Sequence, residues 1–410
     1  MGACCALEGA PKQAAKSSTS RPTTPKSARK KGEAPQAGSD ATLHDAAWEG
    51  NVDLVRRLLL RDSPDLPDEE GSTPLHLAAD EGYMEVVKCL LEEGKATCMD
   101  AADGAGNTPL LLAAKEGRTD VVEYLLTTAK LQAPQKANSN GETPLLSAVQ
   151  KGRADIVKLL LGHSAAVDIS NNDGETPLNL AAGKGDTETV QLLLVDGRSQ
   201  SVDTPDRLGW TPVLMAAHGG HVGVLRLLLK SSAKTADSHS GTGETPLLCA
   251  AKRGHVEVAK LLLTSAEASM IDVADRDGNT PLMMAAQFGF AEALRLLLSK
   301  KASIDLCNKA NETPLLLAAQ EGFAEVVAIL LEEGSKAVNI AAADGRTALI
   351  AAARFGYSEV CRLLLQHGAD RHARIEGRCF HCWPICACRC HSARSGLHDP
   401  ISLAADSARA

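Results

Sequence analysis

The sequence predicts an all-α solenoid of about ten stacked helix–turn–helix units with short hairpin fingers, and three observations carry the prediction. The segment Ala-Ala-x-x-Gly recurs with little change, its glycines being Gly50, Gly82, Gly117, Gly152, Gly185, Gly220, Gly254, Gly289, Gly322 and Gly356, with a mean step of 34.0 residues. A Leu pair follows every one of these glycines at the eighth and ninth positions, from Leu58-Leu59 to Leu364-Leu365. A Thr-Pro dipeptide opens most units. Self-similarity at one fixed period is the signature of stacked repeats.

The first helix of each unit begins at Thr-Pro: Thr73-Pro74, Thr108-Pro109, Thr143-Pro144, Thr176-Pro177, Thr211-Pro212, Thr245-Pro246, Thr280-Pro281 and Thr313-Pro314. Thr caps a helix by accepting a backbone N–H, and Pro at the first helical position forfeits no hydrogen bond. The ladder glycine ends the helix in the left-handed conformation, so this helix has roughly two turns. The second helix follows. Its Leu pair, with Val, Ile or Leu four to five residues past the glycine as at Val86-Val87 and Ile156-Val157, forms a buried stripe at i, i+4 spacing. No unit can bury that stripe alone, so the units stack.

The finger is marked by another glycine two residues before each capping Thr: Gly71, Gly106, Gly141, Gly174, Gly209, Gly243, Gly278 and Gly345. Asn311 stands in this place once. Asn tolerates the left-handed region better than other side chains, so the exchange predicts a turn of positive φ there.

Gly71-Ser72-Thr73-Pro74-Leu75-His76-Leu77-Ala78-Ala79 resembles the signature of the ankyrin repeat, and about Ser39 to His372 is similar to that family throughout. The resemblance implies L-shaped units whose finger tips and first helices line a concave face. It also implies a His after Thr-Pro-Leu that ties neighbouring units together. Only His76 and His44 keep it. Leu111, Leu146, Asn179, Leu214, Leu248, Met283, Leu316 and Ile350 stand elsewhere, and apolar packing is expected to replace the link.

Positions just before the ladder glycine should face a partner. They begin acidic, turn basic around Lys184 to Arg253 and then include Phe. The expected protein-binding residues are Trp48, Asp80, Glu81, Lys115, Lys151, Lys184, His218, Lys252, Arg253, Phe288, Gln320, Arg354 and Phe355, with Trp210 at a finger. Aromatics make up only 3% of the chain, and rings on a face that stacking leaves open point to contact.

Other functions find little support. Of 410 residues, 43 are Lys or Arg and 51 Asp or Glu, a net charge of −8, so the basic footprint of a nucleic-acid binder is missing. No uninterrupted apolar run reaches membrane-spanning length, and no apolar signal stretch opens the chain. Neither a phosphate-binding Gly-x4-Gly-Lys-Ser/Thr loop, nor His-Glu-x-x-His, nor a Gly-x-Ser-x-Gly elbow occurs. Gly241-Thr242-Gly243 belongs to the repeat, as do His221 and His255. An enzyme is not expected. Cysteines standing singly within the array suit reduced thiols in a cytosol.

The two ends differ from the array. Residues 1–38 are rich in Ala, Ser, Pro and Lys and read as a disordered basic tail. Met1-Gly2-Ala3-Cys4-Cys5 resembles an acylation start, with Gly2 for myristate and Cys4 and Cys5 for palmitate, although Ala6 stands where Ser or Thr is preferred. The bases Lys12, Lys16, Arg21, Lys26, Arg29, Lys30 and Lys31 would supply the second membrane signal. Residues 375–410 hold Cys379, Cys382, Cys386, Cys388, Cys390 and His391, enough ligands for zinc at a spacing unlike a standard ribbon. Pro400 to Ala408 then reads as a degenerate terminal half-repeat. The array itself spans 39–374. The expected function is a cytoplasmic, non-catalytic protein-binding scaffold or adaptor without a required cofactor. The alternative is a peripheral membrane tether held by the acylated N-terminus.

Overall fold

A computed structural model describes residues 41–127, 131, 134–231, 238–265 and 270–373. Twenty α-helices alternate along it, and no strand occurs among the described residues. Units one to three contain α1 (Leu43–Glu49) and α2 (Val52–Leu58), α3 (Pro74–Glu81) and α4 (Met84–Lys88), then α5 (Pro109–Glu116) and α6 (Thr119–Thr127). Units four to six contain α7 (Pro144–Lys151) and α8 (Ala154–Gly162), α9 (Pro177–Lys184) and α10 (Thr187–Val195), then α11 (Pro212–Gly219) and α12 (Val222–Ser231). The last four contain α13 (Pro246–Arg253) and α14 (Val256–Ser265), α15 (Pro281–Gln287) and α16 (Ala291–Ser299), α17 (Pro314–Glu321) and α18 (Ala324–Glu332), and finally α19 (Ala348–Arg354) and α20 (Ser358–Gln366). Odd-numbered helices pack on one another in sequence, as do even-numbered ones, giving two layers.

The expected start and stop signals operate as read. Thr108 accepts from the Leu111 N–H and Thr143 from the Leu146 N–H, both at 3.2 Å. Ladder glycines take φ between 68° and 88°. Asn311 sits at φ 57°, the left-handed turn its place among glycines predicted. In α4 the last turn widens into a π segment at Cys89–Glu93, closed by Gly94 N–H to the Cys89 carbonyl at 2.9 Å.

Each finger bonds to the next through its backbone. The series runs from Gly104 N–H on the Glu70 carbonyl at 2.8 Å to Ala343 N–H on the Ala310 carbonyl, also at 2.8 Å. Within all but the last of the fingers, the residue three before the turn's left-handed residue closes the turn with its side chain. Asp103 accepts from the Ala105 and Asn107 amides, and Asn138 from those of Asn140 and Glu142. This Asx turn was not expected from the sequence.

The Leu pair is less uniform than a buried stripe suggests. The first member is buried in all ten units, but the second is only half-buried except at Leu331. Adjacent helical residues point about 100° apart, so only one of the two can face the centre.

The missing histidines are replaced in two ways. Buried His76 accepts from the Thr73 N–H at Nδ1, which leaves Nε2–H to donate to the carbonyls of Ala101 and Asn107 in the next unit, both at 3.1 Å. His44 reaches Ser72 in the same way at 3.1 Å. Leu111, Leu146, Leu214, Leu248, Met283 and Leu316 are buried apolar substitutes. Asn179 is not: its Nδ2 donates to the Trp210 carbonyl at 3.1 Å. An amide thus keeps the link where apolar packing was expected.

Candidate protein-binding face

Apart from Trp210, which sits on a finger just before α11, the predicted contact residues lie at the C-terminal ends of the first helices, one unit apart. Lys151, Lys184, Arg253, Phe288, Arg354 and Phe355 are exposed, and Trp48, Asp80, Glu81, Lys115, Trp210, His218, Lys252 and Gln320 are half-buried. The stacking of α1, α3, α5 and their successors turns these positions into a row.

The row is built around a feature that the sequence reading missed. The residue after a ladder glycine reaches back over the ladder glycine of the unit before. A Cβ added at Gly50 would lie 2.8 Å from the Tyr83 ring, at Gly254 2.5 Å from Phe290, at Gly289 2.6 Å from Phe323 and at Gly322 2.7 Å from Tyr357. Glycine is required here by close approach as well as by φ. Where this residue is cationic or an imidazole it also bonds the preceding first helix. Arg118 Nε donates to the Asp80 carbonyl at 2.9 Å, His221 Nε2 to Gly183 at 3.1 Å and His255 Nε2 to His218 at 3.1 Å. Donors are favourable there because the last carbonyls of a helix lack partners and carry partial negative charge. A comparison of the position after every ladder glycine would have exposed the pattern.

Several of the predicted charges are engaged within the chain. Lys184 donates its Nζ to the carbonyls of Val149 and Gln150. Burial, together with the Lys151 charge, lowers its pKa from the ordinary lysine value. Lys252 pairs with Glu244 at 2.8 Å. Gln320 accepts from Arg346, which also pairs with Asp344 and, at 3.1 Å, with Glu312. Glu81 stands 4.0 Å from Arg118.

Three aromatic groupings stand on this row. Trp210 meets His218 edge to face, with centroids 5.1 Å apart and planes at 87°, and His218 Nε2 accepts from Arg253 at 2.8 Å. A nitrogen that accepts from a guanidinium carries no proton, so the ring is neutral, and burial, then the Arg253 charge, lowers the His218 pKa in keeping with this. Phe288 and Phe290 stack at 6.4 Å. Phe355 lies 6.0 Å from Tyr357, with the Arg354 guanidinium 5.8 Å above its ring. A hollow of about 340 Å³ at the end of α15 is lined mainly by polar residues including Asp277, Gln287, Asn308 and Glu312.

Among the described residues, no group of three or more His, Cys, Asp or Glu is placed to hold a metal ion. No described helix is long and apolar enough to cross a membrane. Burial pushes the Cys249 thiol up to about 12 and the Cys98 thiol to about 11, so neither is an activated nucleophile. Gly2, Cys4 and Cys5, the basic segment after them, and Cys379, Cys382, Cys386, Cys388, Cys390 and His391 lie outside the described residues.

A family model of ankyrin repeats (three copies) matches residues 43–135, 128–206, 164–238, 184–272, 231–308 and 282–375. Ankyrin repeats generally mediate protein–protein interaction and are typically non-catalytic. Among curated proteins, apoptosis-stimulating of p53 protein 2 from Homo sapiens is 46% identical over 55 residues, and the Mus musculus protein of the same name shows the same identity over the same length. Each match covers 13% of this chain and 5% of the relative, a small part of either protein.

Proposed function

The chain belongs to the ankyrin repeat family, and on that premise we propose that it is a non-catalytic scaffold or adaptor. It holds a protein partner on the face made by its finger tips and the ends of its first helices. The observation that carries this reading is the exposure of Phe288, at 43%, and Phe355, at 53%, each beside a second ring on the same row. Exposed rings in a chain so poor in aromatics cost solvation that contact with a partner recovers. Cross-linking capture with the full chain tests the reading. The double variant Phe288→Ser and Phe355→Ser should lose captured partners by about tenfold. Lys158→Glu with Arg226→Glu, on exposed faces of α8 and α12, should leave capture unchanged. Equal losses from both double variants would defeat it.

A cytoplasmic location fits the single cysteines of the array. The membrane-tether reading rests on Gly2, Cys4 and Cys5 with the basic residues that follow. Metabolic acyl labelling of the full chain tests it, and absence of label at all three residues removes it.

A further inference from the structure

We propose that Trp210, His218 and Arg253 form the anchor of this face, a notch that takes a carboxylate side chain of the partner. Phe288, one unit further on, then receives an apolar residue three positions away in the same polyproline-II-like segment. The proposal rests on the scaffold reading above and narrows it to one partner chemistry.

The basic stretch of the row offers three cations, and two are engaged within the chain. Lys184 serves the carbonyl end of α7, and Glu244 neutralises Lys252 at 2.8 Å. Arg253 differs. Its guanidinium donates to His218 Nε2 at 2.8 Å, a neutral acceptor, and among the described residues no carboxylate forms an ion pair with it. That bond makes Nε2 the acceptor and Nδ1 the protonated nitrogen of His218. The imidazole therefore orients the guanidinium without compensating its charge.

Trp210 supplies a fixed wall. Its backbone N–H donates to Asp206 at 2.8 Å and its carbonyl accepts from Asn179 at 3.1 Å, so the finger carrying it is held from both sides. The indole N–H has no acceptor among the described residues. The notch thus presents two kinds of N–H donor without acceptors beside one uncompensated positive charge. A carboxylate satisfies both, through charge-assisted hydrogen bonds. A phosphate dianion would exceed the charge on offer and bring its excess near Glu244.

Arg253 and Phe288 both stand one residue before their ladder glycines, at the ends of α13 and α15, which pack together. Packed helices lie about 8–10 Å apart, and a polyproline-II segment advances about 3.1 Å per residue with three residues per turn, so that residues three apart share a face. Carboxylate and apolar residue are therefore spaced about three apart.

The experiment follows the Trp210 indole N–H resonance of the full chain by NMR. The probes are blocked tetrapeptides with Glu and Leu at their two ends and Ala between, in both orders, and counterparts with Gln or phosphoserine in place of Glu. At least one Glu peptide should shift the resonance, with its Gln counterpart binding about tenfold more weakly. Arg253→Gln, at an exposed site, should abolish that preference without changing helicity. Equal binding of Glu and Gln peptides, an unchanged preference in R253Q, or a response to phosphoserine alone would overturn the proposal. Partner capture separates its failure from failure of the scaffold reading. If the phenylalanine variant loses capture and R253Q does not, the anchor is wrong and the face stands. If neither loses capture, the face itself is wrong.

Discussion

At the scale of single residues, the repeat makes side chains directly comparable, and the Leu pair is the sharpest case. The sequence showed both leucines without a break, yet only rotation about the helix axis decides which is buried. Leu228 is fully buried, whereas Leu229 is half-buried. Leu228→Ala should cost about 2–5 kcal/mol through the cavity it leaves, and Leu229→Ala about half as much. Urea melts of the two variants decide this, and equal losses would mean that both leucines face the core. His76 offers a second test. His76→Ala leaves two carbonyls without a donor and should cost about 2–3 kcal/mol. His76→Leu copies the substitute used by other units and should cost less. Burial lowers the His76 pKa in the folded chain from the ordinary value of 6.5. The unfolded imidazole then binds a proton more readily than the folded one, so stability falls as pH drops through 6.5 toward the lower folded value. Melts at pH 7.5 and 5.5 should therefore differ more for the wild type than for H76L, and identical differences would show that His76 does not carry the effect.

At the scale of the element, helix ends and finger turns were legible because each needs a particular residue type at a particular φ. Thr, Pro and Gly fill those places repeatedly, and Asn311 keeps the turn without glycine. Its side chain also donates to the Ala341 carbonyl at 2.6 Å. Asn311→Ala should cost about 1–2 kcal/mol from left-handed strain alone, while Asn311→Gly relieves the strain and loses only that bond. Denaturant melts should place the glycine variant nearer the wild type, and the reverse order would refute a strained turn. The Asx turns were less legible. Asp68, Asp103, Asn138 and Asn171 close theirs, but Ser240 does so by a hydroxyl, and Ala342 has no such group. The candidate face was legible in its location and not in its available charges. Whether Lys184 or Lys252 is free depends on carbonyls and carboxylates up to 35 residues away in sequence, and no local pattern reveals those partners.

At the scale of the molecule, solenoid stability is a sum over units and the interfaces between neighbours, so one deficient interface divides the array. A side chain from the next unit covers ladder glycines on both sides of Gly152, as Arg153 covers Gly117 and His221 covers Gly185, whereas a Cβ at Gly152 would meet nothing within 4 Å. The residue that should cover it is Asp186, and its carboxylate turns instead to its own helix. It accepts from Thr189 N–H at 3.0 Å and from the Thr189 hydroxyl at 2.6 Å. Lys184 takes over the carbonyls at the end of α7, where burial and the Lys151 charge oppose its protonation. The seam between α7 and α9 thus exchanges contact across units for a local cap. Hydrogen-exchange mass spectrometry on the full chain should find amides at this seam exchanging about tenfold faster than those between α13 and α15, with the blocks on either side opening separately. Asp186→His gives up a cap that contributes about 1 kcal/mol but places a ring over Gly152, as His221 does over Gly185. The variant should narrow the difference in protection between the two seams. Uniform exchange along the wild-type array, or a difference that Asp186→His leaves untouched, would show that the uncovered glycine does not set the weak point.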